Sequence, residues 1–302
     1  MNIQEFHEGE LAVQRANGVE EQAARLVGML STPQLGEGPR RFFADREFAV
    51  MAAHDTAGAL WVSPLFAGPG FLEVRERSLT VHTSPAAADP LAHLPAPQAI
   101  GFVAVEFATR RRVRINGTLR STTADSLELD IDQAFGNCPR YIQQRHLQHT
   151  LDPEPTTIHS VRFDQLPNEL TALIEQADTF FLGTTHPTRG TDASHRGGPS
   201  GFVRLDGNTL WWPDYPGNNL FNSLGNLAVD HAAGLLFIDF ETGVSLQLSG
   251  TAVVETIPPG AAGDDGATGR RVRFTPQQVG FGSRLALTSD TPEPSPHNPP
   301  IT

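Results

Sequence analysis

Apolar residues in this chain gather in short runs separated by glycine, proline, asparagine and aspartate, a spacing of strands and turns. Phe48-Ala49-Val50-Met51-Ala52 leads into a turn near Asp55-Thr56-Ala57-Gly58, and strands are predicted around 59–65, 71–75, 79–83, 100–107 and 112–120. More follow near 179–185, 191–196, 201–205, 209–212, 233–240 and 244–254, with Asp206-Gly207-Asn208 as a hairpin turn. Val19, Ala23, Leu26, Val27 and Leu30 have helical spacing and predict an amphipathic lead helix over 19–30. Leu166, Leu170, Leu173, Ile174 and Ala177 share a face of a second helix, with Pro167 in its first turn. A third helical pattern, Leu220, Phe221, Leu224, Leu227 and Ala228, follows Asn219.

The pattern occurs twice. Trp61-Val62-Ser63-Pro64-Leu65 and Gly70-Phe71-Leu72 return as Asp192-Ala193-Ser194-His195-Arg196 and Gly201-Phe202-Val203, at one offset (194 − 63 = 131). After a two-residue slip, the run Gly101–Phe107 matches Gly234–Phe240, and Asn116-Gly117-Thr118 matches Ser249-Gly250-Thr251. A repeat this long implies two domains of one fold rather than a short-period solenoid. Five to six strands per copy with few helices predict a mainly β (α+β) protein of two small tandem barrels. The expected layout is a helical lead (1–35), a first barrel (36–130), a connector (131–165), a second barrel (166–257), and a loop with a proline-rich tail (258–302).

Length and composition fit two domains, each with its own core: 302 residues, 39% hydrophobic and 19% charged. No apolar run approaches the roughly 20 residues of a membrane span. The N-terminus has neither a basic start nor an apolar h-region, so the expected location is cytoplasmic. Cys138 is the only cysteine, which excludes an intrachain disulfide framework and a cysteine-rich zinc site. All 22 basic Lys+Arg residues are arginine. Absence of lysine excludes a Walker loop and a pyridoxal Schiff base. A net charge of −12 argues against general nucleic-acid binding. His7-Glu8-Gly9-Glu10 lacks the second histidine of a helical zinc site; a surface role is expected for it, and no metal site is assigned.

The two copies differ where chemistry would sit. In the second, Trp211-Trp212 runs into Pro213-Asp214-Tyr215-Pro216-Gly217-Asn218-Asn219, just before the third helix. Free N–H groups at a helix start form an anion site, although Asn218 or Asn219 could equally cap the helix. The first copy has Ala86-Ala87-Ala88-Asp89 there, which cannot cradle a phosphate. On a strand, Ser194 and Arg196 share one face and His195 the other, so Asp192, Ser194 and His195 are no hydrolase triad. The basic run Arg110-Arg111-Arg112-Val113-Arg114 lies only in the first copy, facing Ser245 and Gln247 of the second in the alignment. A composite site, with loop from one barrel and basic strand from the other, would explain both asymmetries. No residue stands out as a general acid or base.

Residues 192–203, then Trp212–Asn219 and Asn137-Cys138-Pro139-Arg140-Tyr141-Ile142, resemble the pyridoxamine 5′-phosphate oxidase-like, FMN-binding split-barrel family. The resemblance implies two tandem split β-barrels of the FMN-binding type with short flanking helices, holding FMN noncovalently at a barrel–barrel interface. By position it implies Ser194, His195 and Arg196 near the flavin, and Trp212, Pro213, Asp214, Asn218 and Asn219 around the ribityl-phosphate. Arg112 and Arg114 would supply positive charge. Tyr215 and Leu220 stand where many relatives carry basic residues. An FMN-dependent oxidoreductase is implied, acting on a small-molecule substrate or reduced nucleotide, with a separate reductase and a homodimer as conceivable partners. The alternative is a flavin or haem carrier or sensor without turnover, for which His195 or His231 could offer an axial ligand.

Overall fold

The computed structural model describes residues 5–30, 35–150, 159–160 and 162–301; parts of the expected lead, connector and tail (1–4, 31–34, 151–158, 161 and 302) lie outside them. The chain opens with helices α1 (Glu8–Ala16), α2 (Glu20–Ala24) and α3 (Glu37–Ala44). Strands β1 (Phe48–His54), β2 (Leu60–Phe66), β3 (Leu72–Val74), β4 (Ser78–Val81), β5 (Gln98–Glu106), β6 (Arg111–Thr122) and β7 (Leu127–Gly136) build the first barrel. Short strands β8 (Leu147–His149) and β9 (His159–Ser160) precede helix α4 (Asn168–Gln176). The second barrel comprises β10 (Thr179–His186), β11 (Gly190–Gly197), β12 (Arg204–Asp206), β13 (Thr209–Pro213), β14 (Ala232–Ile238), β15 (Val244–Thr256) and β16 (Arg270–Arg284). Helix α5 (Asn222–Val229) follows β13, and β17 (Leu287–Ser289) pairs with β8.

The two main sheets have one topology. Their orders, β2-β1-β5-β6-β7-β4-β3 and β11-β10-β14-β15-β16-β13-β12, match strand for strand. Even the irregularities repeat: ladders shift register at Asn116/Gly117 and at Ser249/Gly250. A Cβ on Gly117 would strike the Asp130 carbonyl, and one on Gly250 the Thr275 carbonyl, so both bulges require glycine.

Burial explains why the central strands are apolar without alternation. Along β1, Ala49, Met51 and Ala53 enter the core of the first barrel, while Phe48, Val50 and Ala52 enter a separate core between the barrels. Phe180 and Leu182 of β10 fill the second barrel, and Phe181 points outward to the shared core. β5 and β14 divide in the same manner, with Val103, Val105, Leu236 and Ile238 in the shared layer. At its tightest, Gly101 abuts the backbone of Asp192 and Ala193, and the equivalent Gly234 abuts Leu60 and Trp61.

Several expectations need correction. The segment 131–136, assigned to the connector, completes β7. The segment 270–284, assigned to the loop and tail, is β16, the longest strand and an interior member of its sheet. The same structural strand is thus missing from the expectation in both copies. In β7, Leu127, Leu129 and Ile131 alternate with acidic residues, and in β16, Val272 and Phe274 alternate with arginines. Those charges pair across strands, Arg271 and Arg273 both donating to Glu255 (2.6 and 2.8 Å). The expected helix over 19–30 is broken into α2 and a 3₁₀ turn (Val27–Leu30), and α1 precedes it.

The proline-rich tail is fastened to the connector. Ser295 N–H donates to Gln143 Oε1 (2.7 Å), and Gln143 exchanges amide hydrogen bonds with Asn298 (3.0 and 3.2 Å). This clasp holds 137–143 against the second barrel, where the Tyr141 carbonyl lies on Gly197.

Placing a methyl group at the barrel contact should separate the barrels. Gly101→Ala is expected to cost about 1–3 kcal/mol by overpacking. Gly234→Ala should cost less, because its Cβ would lie 2.9 Å from a single carbonyl, that of Leu60, instead of inside the Asp192–Ala193 backbone. Chemical denaturation of both variants, read by tryptophan fluorescence, measures the difference.

Candidate functional site

All ten residues singled out from the sequence line one cleft: Arg112, Arg114, Ser194, His195, Arg196, Trp212, Pro213, Asp214, Asn218 and Asn219. The empty space between its walls, open mouth included, is about 960 Å³. One wall is β6 of the first barrel and the others are β11, the segment after β13 and the start of α5.

Arginines form the floor. Arg114 is buried, ion-paired with the buried Asp192, and lies over the Phe135 ring (5.0 Å). Arg196 lies 3.9 Å from Asp214, whose other oxygen accepts from Arg270 Nε and Nη2 (3.0 and 2.8 Å). Arg112 differs from both. Its hydrogen bonds go to neutral acceptors, the His195 Nδ1 (2.8 Å) and the Cys138 carbonyl (2.9 Å). Burial, then the charges of Arg114 and Arg196, brings its guanidinium down to about 9. Arg114 Nε and Arg196 Nε are both buried without a protein acceptor.

His195 occupies the opposite strand face from Ser194 and Arg196, as strand alternation requires. It packs edge-on against Phe107 and Phe181 (6.1 and 5.7 Å). Burial, then the charges of Arg112, Arg145 and Arg196, holds its imidazole well below the usual range. The ring is therefore neutral, accepts from Arg112 at Nδ1 and carries its proton on Nε2. Ser223 Oγ donates to Asp192 (3.0 Å) and lies 3.2 Å from Ser194 Oγ. Of the two adjacent tryptophans of β13, Trp212 lines the cleft, while Trp211 faces away beneath Arg204 and Arg271.

Helix α5 starts two residues later than its apolar pattern suggested, and neither asparagine caps it. The N-cap is Phe221, with no side-chain cap. Asn218 Oδ1 instead accepts from Leu220 N–H (3.2 Å). Asn219 and Phe221 are both left-handed (φ 62° and 59°), a conformation asparagine tolerates better than most residues. The segment is consequently a bent loop that turns backbone into the cleft ahead of the helix.

Sequence reasoning missed Tyr141, Asn222 and Ser223 of this cleft. Tyr141 donates to the Pro216 carbonyl (3.1 Å) and stacks obliquely on Tyr215 (4.9 Å) at the mouth. Its block is part of the family resemblance, but nothing local shows that the connector crosses to the loop. His7 was also misplaced: it is buried, caps α1 and lies 4.4 Å from the His186 ring, with Glu8 beside both. The polarity of this trio suits hydrogen bonding rather than a metal. His7 Nδ1 accepts from Gly9 N–H, and His186 Nδ1 accepts from Thr188 and Arg189 N–H (all 3.1 Å). Each Nε2 therefore carries the proton, whereas metal-bound histidines donate from the other nitrogen.

The pseudo-equivalent place in the first barrel is filled by protein. Ser63, Ser245 and Gln247 occupy the positions of Ser194, Arg112 and Arg114 (194 − 131, 112 + 133, 114 + 133) and are buried. Gln247 Nε2 donates to the Val62 carbonyl, Ser63 Oγ and Asp89 Oδ2 (2.9, 2.9 and 3.1 Å), and Ser63 donates to Asp89 (2.6 Å). This network closes the second place.

The fold and cleft define a tandem split-barrel protein with one arginine-floored cleft between its barrels. Residues 166–278, which take in most of the second barrel, match the pyridoxamine 5′-phosphate oxidase family model, and the first barrel repeats the strand order of the second. No curated protein sequence matches the chain. Similar solved structures include HupZ of Group A Streptococcus (14% identity, 40% of this chain and 99% of that one, TM-score 0.32). HutZ, described as the heme storage protein of Vibrio cholerae, is 13% identical over 38% of this chain and 93% of that one (TM-score 0.30). The FAD binding protein of Mycobacterium smegmatis is 15% identical over 41% and 97% (TM-score 0.27).

Burial raises the Asp89 carboxyl from 3.8 to about 6, against hydrogen bonds from Ser63, Leu91 N–H and Gln247 that lower it. Its folded value exceeds the unfolded one, so the folded state holds the extra proton. Stability should then fall as pH rises from about 4 to about 6 and stay level above. The effect is on the order of 2–3 kcal/mol. Comparing pH-dependent melting of wild type and Asp89→Asn isolates it, since the variant lacks this titration.

Proposed function

We propose that the cleft holds FMN noncovalently and that the protein is an FMN-dependent oxidoreductase. The observation that supports it best is Arg112: a half-buried cation, beside two more, with only neutral acceptors of its own. A site that collects positive charge away from water and leaves it without a matching carboxylate is suited to an anion. The phosphate of FMN meets that need, and the orphaned Nε atoms of Arg114 and Arg196 offer further donors.

The remaining residues fit the same group. Asn218 fixes the turn and Asn219 leaves its amide without a protein partner among the described residues, beside Gly217, whose missing side chain leaves open space. Ser194 and Ser223 present hydroxyls along β11 and α5. Tyr141 and Tyr215 narrow the mouth, limiting water at the ring of a planar ligand. Bound FMN would supply hydride or electron transfer; the chain supplies binding, orientation and donors that tune it. Both halves of the site come from one chain.

The haem alternative loses its candidate ligands. Nδ1 of His195 is held by Arg112, and Nε2 is buried. His231 is exposed and does not line the cleft. No helix among the described residues is long and apolar enough to cross a membrane.

Titration of the apoprotein with FMN, followed by flavin fluorescence, is the direct test; protein that takes up no FMN would sink the proposal. Arg112→Gln should weaken FMN binding about 10- to 100-fold by removing a charge-assisted contact, with little change in melting temperature. Arg114→Ala should also weaken it, but at a cost of about 3–5 kcal/mol in stability, because Asp192 is left buried and unpaired. Asn219→Gly removes the amide and keeps the left-handed backbone, so a loss of affinity there reports the side chain alone.

A further inference from the structure

Helix α1 lies outside both barrels, yet it grips the loop that shapes the cleft. Glu10, Gln14 and Asn17 follow i, i+4, i+7 spacing and so share one helix face. Asn222 Nδ2 donates to Glu10 Oε1 (2.6 Å), and Gln14 Nε2 donates to the Leu220 carbonyl (3.2 Å). Arg270, which holds Asp214, also donates to Asn17 Oδ1. The three side chains therefore reach the end of the loop, its last turn and the partner of its first residue.

The contact is built for close approach. Gly9 seats on Gly225 of α5 so tightly that a Cβ on either would strike backbone of the other helix. Gln14 is fully buried, and its Oε1 has no partner. A buried amide half unsatisfied is costly for a core position, where an apolar residue of the same shape serves better. Left-handed non-glycine residues such as Asn219 and Phe221 persist only where their surroundings over-determine them. Leu220, tied by Gln14, lies between the two.

We propose that α1 is a strap that fixes the cofactor loop, with Gln14 as a positioning residue for the ligand that the loop receives. The inference rests on the flavin reading for the ligand's identity, and on the hydrogen bonds above for the strap itself. Strap and ligand then stabilise one loop conformation, so each favours the other's binding by the same factor.

Hydrogen exchange on the full chain tests both parts. In apoprotein, Gln14→Leu should speed exchange of the 219–222 amides about tenfold or more, as expected for one lost tie, while β10 and β14 keep their protection. FMN affinity should fall about tenfold, and FMN added to wild type should slow exchange within Glu8–Ala16. Gly9→Val, which unseats the helix, should reproduce both losses; Gln14→Leu keeps the test decisive should that variant fold poorly. Unchanged 219–222 exchange in apo Gln14→Leu overturns the strap. Tight FMN binding with no added protection in α1 overturns the coupling. If wild type takes up no FMN, the flavin reading fails alone, and apoprotein exchange still decides the strap.

Discussion

Four strands, β1, β5, β10 and β14, are buried on both faces, and the rest of the molecule depends on that. A strand buried on one side can belong to a free barrel; one buried on both must have a second layer against it. Here the second layer is the other barrel, and Phe48, Val103, Phe181 and Leu236 meet in a core that neither barrel could form alone. Gly101 and Gly234 set how near the backbones come. That spacing brings β6 of one barrel beside β11 of the other and so makes a cleft with walls from both.

Two barrels of one topology create two equivalent places at their junction, and the chain treats them oppositely. Around Ser63, the donors of Gln247 meet the acceptors of Asp89, so the space is neutralised and closed. Around Ser194, arginines replace Ser245 and Gln247, and the cations exceed the carboxylates that can reach them. Desolvated charge of one sign is tolerated where a ligand of the other sign completes it. The asymmetry lies in a few side chains on an otherwise repeated backbone.

Much of this could be read from residues in order. The matched glycines, the pairing of Asn116-Gly117-Thr118 with Ser249-Gly250-Thr251 and the exchange of Gly217-Asn218-Asn219 for Ala86-Ala87-Ala88 are local, and all bear on the repeat. Strand alternation correctly divided Ser194 and Arg196 from His195. Strands β7 and β16 were missed because their outward positions carry charges, whose stabilising partners, such as Glu255 for Arg271, belong to neighbouring strands. The true start of α5 was hidden because Leu220 and Phe221 fit a helical period but serve a bent loop.

Residue order alone reveals that one fold is used twice, that it is mainly β, and which copy carries the polar loop and which the basic strand. Those properties follow from side-chain order, which fixes periodicity and turn chemistry within a few residues. Folding in space is what brings Arg112 to neutral acceptors, pairs Arg114 with Asp192, and carries Gln14 to Leu220 across 206 positions. Charge balance in a cleft depends on distances through space, and no local pattern encodes which distant segment will supply the opposing group.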